Sequence, residues 1–305
     1  MKALATVVLF AGVQTLTGGA DLQGAIARFQ AGDCNGVIAI LSQDKTPDPA
    51  DGEVPYAMLA ACYLQLGRVA EGMKVVRDGL IALPQSGLLK RMLGQQLFRD
   101  DPYSPEVGEL LEGAMTALPR DPESRHYFAQ WAYMNNRDED CAQREREALQ
   151  APDLSPMAQL QMNTLMGLCE GRSGNPETAR AAFEIAWEIN KSLTRFDASS
   201  AYWYARFLSS HAETDQLKTI LGEILAHAPR HGPVLLERAK LLEREGKTQE
   251  AIEAANLALD GEGNDAGSIR EAHSILAKSY FLLGQREKAE EEQKWVDEHP
   301  VAPIR

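Results

Sequence analysis

One spacing constrains this chain more than any other feature. Small residues recur at Ala25, Ala60, Gly94, Ala129, Gly167, Ala205, Ala239 and Ala277, in steps of 34, 35 or 38 residues. Twelve or thirteen residues after each stands a second small or aliphatic one: Val37, Gly72, Val107, Cys141, Ala179, Leu217, Ala251 and Ala289. A period of this length marks a stack of similar supersecondary units, not a domain built around one central core. A pair of antiparallel helices fits it. Small residues belong where two helices cross, because backbones approach closely only where side chains do not intrude. Bulkier residues between them, such as Leu59, Tyr63, Leu93, Leu97, Leu208, Leu242, Leu276 and Tyr280, then fill the space between neighbouring copies.

Local punctuation agrees with this register. Gly67, Gly174, Gly246 and Gly284 fall where a first helix should end, and a left-handed residue there costs least as Gly. Pro84, Pro119, Pro152, Pro229 and Pro300 fall where a second helix should stop, since Pro has no amide to continue it. Asp44–Val54, with two prolines and several acids, reads as a solvated loop. The last helix, Arg286–Glu298, is strongly charged, as a terminal cap requires.

This spacing resembles the tetratricopeptide repeat family, over about Asp21 to Pro300. The resemblance implies an all-α fold, a right-handed α-solenoid of about eight helix-turn-helix repeats. The copies run 21–51, 54–84, 86–119, 122–150, 155–190, 194–229, 230–261 and 266–300, within a single array over 21–305. The steps of 38 exceed the family's usual 34 and predict enlarged turns between some copies.

Residues 1–20 stand apart. Lys2 precedes the uncharged run Ala3–Val13, and small residues follow at Gly18 and Ala20. That order is read as a secretory signal peptide ending at Ala20, and the apolar run is about half of what a membrane span needs. The chain is expected to be exported, to the periplasm or beyond, without a membrane span after signal removal. Its net charge of -13 argues against nucleic acid as a partner.

The four cysteines form two matched pairs, Cys34 with Cys62 and Cys141 with Cys169, each 28 residues apart. In each, the first falls early in a second helix and the other near the crossing point of the next first helix. Adjacent copies pack those helices together, so both pairs are expected as disulfides in an oxidising compartment. Closing a loop of that size stabilises by about 3.5 kcal/mol in the chain-entropy estimate. The alternative is four buried thiols acting as small hydrophobes.

Catalytic signatures are absent. Glu245-Gly246-Lys247-Thr248 has Leu241 where a phosphate-binding loop needs Gly, and reads as a helix end followed by a helix start. His227 and His231 flank Pro229 without a third ligand nearby, and His211, His273 and His299 show no ligand spacing. No C-x-x-C, H-E-x-x-H or G-x-S-x-G occurs. Neither an enzyme nor a cofactor nor a metal is expected. Asn190-Lys191-Ser192 is a glycosylation triplet of the kind that arises by chance.

In the family, first helices line a concave surface that holds a peptide segment of a partner. The register carries over to Arg91, Gln95, Phe98, His126, Gln130, Tyr133, Tyr202, Trp203, Arg206, Lys240 and Lys278 as partner-binding residues. The cations Arg91, Arg206, Lys240 and Lys278, beside aromatics, would suit an acidic, partly apolar peptide. The two-carboxylate clamp of chaperone-binding members needs Lys and Asn at fixed offsets, and Asn163 stands nearly alone. The resemblance thus implies a scaffold for protein binding. The alternative is a structural module of an envelope or secretion assembly that uses convex or end surfaces. Mass spectrometry of oxidised protein from the native host should find an amino terminus at or near Asp21 and the links Cys34–Cys62 and Cys141–Cys169. Intact Met1 on cytosolic protein, or alkylatable thiols throughout, would overturn these expectations.

Overall fold

The computed structural model describes residues 20–42 and 47–300. The expected leader lies outside the described residues except for Ala20, which opens the first helix. Sixteen α-helices follow one another among the described residues, in consecutive pairs. They are α1 (Ala20–Gln30) with α2 (Cys34–Leu41), α3 (Val54–Gln65) with α4 (Val69–Ala82), α5 (Gly87–Asp100) with α6 (Pro105–Ala117), and α7 (Pro122–Met134) with α8 (Asp138–Ala148). Then come α9 (Pro156–Arg172) with α10 (Pro176–Ser192), α11 (Ala198–Ser210) with α12 (Thr214–His227), α13 (Gly232–Arg244) with α14 (Thr248–Leu259), and α15 (Ala266–Leu282) with α16 (Arg286–Glu298). These are the eight expected helix pairs. A 3-10 turn, Pro49–Asp51, lies in the expected loop before α3.

The turn inside a pair is made the same way seven times. A residue with positive φ stands at Gly32, Gly67, Asn136, Gly174, Ala212, Gly246 and Gly284. The amide of the next residue then donates five residues back, as in Arg68 to Tyr63 at 2.9 Å, Asn175 to Glu170 at 2.9 Å and Gln285 to Tyr280 at 2.9 Å. That bond satisfies a carbonyl which the end of the helix would leave open. The second helix starts at once, antiparallel to the first.

The chain divides into two compact units, 1–152 and 153–305. In the first, Tyr56, Ala57 and Ala60 of α3 pack against Met73 and Val76 of α4 and Leu89 and Leu93 of α5. Ahead of them, Leu22, Ala25 and Phe29 of α1 meet Val37 of α2 and Met58 of α3. In the second unit, Phe183 and Trp187 of α10, Tyr204, Phe207 and Leu208 of α11, and Leu217, Leu221 and Ile224 of α12 form one cluster. Leu236 and Ala239 of α13, Ile252 and Ala255 of α14, and Ala272, Ile275 and Leu276 of α15 form another. The periodic small residues sit at these crossings. Ala25, Ala60, Ala129, Ala205 and Ala239 are fully buried. At Gly167 a β-carbon would come within 2.8 Å of the Phe183 ring, so only hydrogen fits.

Cys34 and Cys62 are buried thiols in this structure, in place of the expected disulfide. They stand side by side, with Cys34 hydrogen-bonded to Cys62 and burial pushing the Cys62 thiol pKa up. The Cys34 Sγ also donates to Gln65 Oε1 at 3.4 Å. Cys141 on α8 belongs to the first unit and Cys169 on α9 to the second, and both are buried.

Ala212 is the turn residue that departs from the rule, with a β-carbon at φ 57°. A left-handed L-residue other than Gly or Asn costs about 1–2 kcal/mol. Ala212→Gly should therefore raise stability by about 1 kcal/mol in urea unfolding, after the entropy that Gly adds to the unfolded chain. Gly174→Ala, at the equivalent turn, should lower it by a similar amount. Equal stabilities for all three proteins would contradict this account of the turn.

Candidate partner-binding surface

In the first unit, the expected site residues lie on α5 and α7. Arg91 is buried, and its Nη1 reaches the start of α7. There it meets Asp121 at 3.0 Å and Glu123 at 2.7 Å. Asp121 caps α7 and also accepts the Ser124 amide at 2.9 Å, so the guanidinium closes a cluster already anchored on a helix amino terminus. Burial raises the pKa of Glu123 against the pull of Arg91. Gln95 donates to the Tyr127 hydroxyl. His126 is buried; its Nδ1 lies 2.5 Å from Glu145 Oε1 on α8, and its Nε2 lies 2.9 Å from Gln130. Phe98, Gln130 and Tyr133 are half-buried.

In the second unit, first helices α11, α13 and α15 carry the remainder. Lys240 of α13 lies between Glu237, 2.9 Å away on its own helix, and Glu271 of α15 at 2.7 Å. Lys278 of α15 reaches back to Glu243 of α13 at 2.5 Å. Arg206 of α11 differs. It is exposed, lies 5.5 Å over the Trp203 ring, and donates to the Tyr202 hydroxyl at 3.3 Å. The Tyr202 ring packs in turn against Trp203 and, at 6.1 Å, against His231. Tyr202 and Trp203 are half-buried, while Tyr204 points into the core.

The expectation of four open cations on one wall needs correction. Arg91, Lys240 and Lys278 are each held by carboxylates of their own unit, and apart from Glu237 on the helix of Lys240 these come from the next or preceding first helix or its cap, which the register could not reveal. Of the four, Arg206 is without a carboxylate at ion-pair distance, although Glu237 and Glu271 are close enough to stabilise its charge. Sequence reasoning also missed Glu145, which is fully buried beside Cys141, Ala142 and Ala148 on a helix whose other acids are not buried. Its 19-residue separation from His126 recurs in His273 and Glu292, also 2.5 Å apart, and this recurrence was the available signal.

Among the described residues, no group of three or more His, Cys, Asp or Glu could hold a metal ion, and no helix is long and apolar enough to cross a membrane.

The His126–Glu145 pair makes stability depend on pH. Burial alone would lower the His126 pKa, but the Glu145 carboxylate outweighs it and the pKa is raised. Burial raises Glu145 too, against the pull of His126. Both shifts mean that the folded pair holds protons more tightly than the unfolded chain does. The His126 contribution is complete below the ordinary imidazole value of about 6.5 and is lost as pH rises through its raised folded value, while that of Glu145 is complete only below the ordinary carboxyl value of about 4.3. Urea unfolding between about pH 6 and pH 9 should show stability falling with pH. The double variant His126→Gln, Glu145→Gln should flatten that slope, and an unchanged slope would show that other groups cause it.

No protein-family model and no curated protein matches this chain. Solved structures do. A tetratricopeptide repeat protein from Parabacteroides merdae superposes with a TM-score of 0.58 at 11% identity, over 84% of this chain and 97% of its own. The C-terminal part of a TPR repeat-containing protein from Cytophaga hutchinsonii gives 0.54 at 16% identity, over 79% and 93%. A chain of the APC/C hetero-tetramer Cut9–Hcn1 gives 0.61 at 12% identity over 83% of this chain, which spans about half of that longer one (48%). At these identities the likeness is one of fold: the helix pairs found here are packed as in tetratricopeptide-repeat solenoids.

Proposed function

We propose that this protein is an exported interaction scaffold without catalysis of its own, and that the first-helix face of its second unit holds a segment of a partner protein. Tetratricopeptide-repeat folds typically serve protein–protein contacts, which supports the general class. The particular observation is the group Tyr202, Trp203 and Arg206. Two half-buried aromatic rings and an exposed guanidinium lie together, and that guanidinium is not held by a carboxylate. Tyr, Trp and Arg are the side chains that most often anchor interfaces, because they bury much area with little entropy loss and keep a polar tip. An apolar side chain against Trp203 and one carboxylate or carbonyl on Arg206 would use all three. Because Arg91, Lys240 and Lys278 are already paired, the partner segment needs fewer acids than four open cations would demand.

Export rests on the leader-like order of residues 1–20. The single array over 21–305 rests on the unbroken recurrence of the small residues.

Affinity capture from the native host, followed by titration of the purified partner, tests this reading. Trp203→Ala and Arg206→Glu should each weaken partner binding by about tenfold or more, with Arg206→Glu also reducing its salt dependence. Melting temperatures of the variants should stay near that of the wild type. Undiminished affinity in both would place the interface elsewhere and favour a structural module that uses its ends or second helices.

A further inference from the structure

The last helix pair carries a second, separate docking feature. Between α15 and α16 lies an open groove of about 540 Å³ with Ala277, Phe281 and Ala289 in its floor. Phe281 and Leu282 are 65% and 61% exposed, in a protein whose other first helices bury most of their large apolar side chains. Ala277 and Ala289 retain 7% exposure where their counterparts Ala239 and Ala251 have none.

The preceding pair shows what such a groove holds. Thirty-eight residues earlier, as Gly246 precedes Gly284, the same positions are Ala239, Glu243 and Ala251. There the groove between α13 and α14 is filled by α15, whose Ala272, Ile275 and Leu276 pack into it. One ion pair fixes the entering helix: Lys240 on the rim takes Glu271 of α15 at 2.7 Å, while still holding Glu237. Lys278 is the counterpart of Lys240. Its side chain is 66% exposed and reaches only backward, to Glu243. Arg286, where the preceding pair has Thr248, adds a second cation to the groove.

We propose that this groove receives one amphipathic helix of a partner protein, bound as α15 is bound in the groove before it. The helix carries a glutamate that pairs with Lys278, and small or aliphatic residues one, four and five positions after it, in the places of Ala272, Ile275 and Leu276. The floor also explains why the seat suits exchange with a partner. Leu236, Ile252 and Ala255 of the filled groove are replaced by Ser274, Glu290 and Gln293. A permanent core cannot form on those side chains, yet Phe281 in place of Glu243 supplies an apolar anchor that the filled groove lacks. This inference deepens the scaffold reading but uses a different surface from Tyr202, Trp203 and Arg206.

The probe is a fluorescein-labelled peptide with the sequence of α15, AGSIREAHSILAKSYFL, titrated into the full chain and followed by anisotropy. Saturable binding is expected. Phe281→Ala should weaken it by about tenfold, the scale of an interface anchor. Lys278→Glu should weaken it similarly, and a peptide with Lys in place of its glutamate should recover the loss on Lys278→Glu protein. Both side chains are exposed, so helicity and melting temperature should not change. Trp203→Ala protein should bind the peptide normally, so failure of the first-helix face and failure of this groove give different results. Absence of saturable binding, or binding indifferent to Phe281→Ala and to the charge exchange, overturns the proposal. So does concentration-dependent dimerisation of the wild type that Phe281→Ala abolishes, since the occupant would then be a second copy of this chain.

Discussion

The close approach of two helices at a residue with almost no side chain is the contact on which the rest of this structure depends. At Gly167 the Phe183 ring lies where a β-carbon would stand. Ala60, Ala129, Ala205 and Ala239 place a methyl group at the corresponding positions, and each is fully buried. Dispersion attraction falls steeply with distance, so a larger residue here would lose contacts over the whole crossing, not only its own. Once the two axes are fixed, the larger side chains one turn away have defined partners in the next pair. Core clusters such as that of Phe183, Tyr204 and Leu208 follow from that placement.

The turns enforce the same geometry from the ends of the helices. A left-handed residue followed by a five-residue-back hydrogen bond reverses the chain within a few residues and leaves little freedom in how the second helix departs. Gly supplies this conformation five times, Asn136 once and Ala212 once. The recurrence shows that turn shape is set by the packing it must serve, strongly enough for an alanine to be held in a conformation it disfavours.

Charge is organised by these repeats as well. First helices lie beside first helices, so cations on one come within reach of carboxylates on the next. Lys240 with Glu271 and Lys278 with Glu243 join α13 to α15 in this way, and Arg91 joins α5 to the start of α7. Exposed pairs of this kind contribute little to stability, whereas buried Arg91 would leave two partly buried carboxylates uncompensated if removed. Their larger effect is on recognition: by occupying cations that sequence position alone would present to a ligand, they leave Arg206 with its aromatic neighbours as the distinctive feature of the first-helix face.

The sequence by itself determined that the chain forms helix pairs and that there are about eight of them, because small residues at a fixed period admit few other packings. It also located the crossing residues, four of the turn glycines and the helices on which the candidate site residues lie. Tertiary structure alone decided which of those residues are available. Arg91, His126, Lys240 and Lys278 were legible as polar residues on first helices, but their partners Asp121, Glu145, Glu271 and Glu243 lie 19 to 35 residues away and look like ordinary solvated acids. The open groove at Phe281 was equally hidden. The charged sequence of α16 reads as a cap, and only the packing shows that Ala277 and Ala289 keep the seat which the groove of α13 and α14 gives to α15. Periodicity reports what a chain must bury; which polar groups neutralise one another depends on distances between helices that no single period encodes.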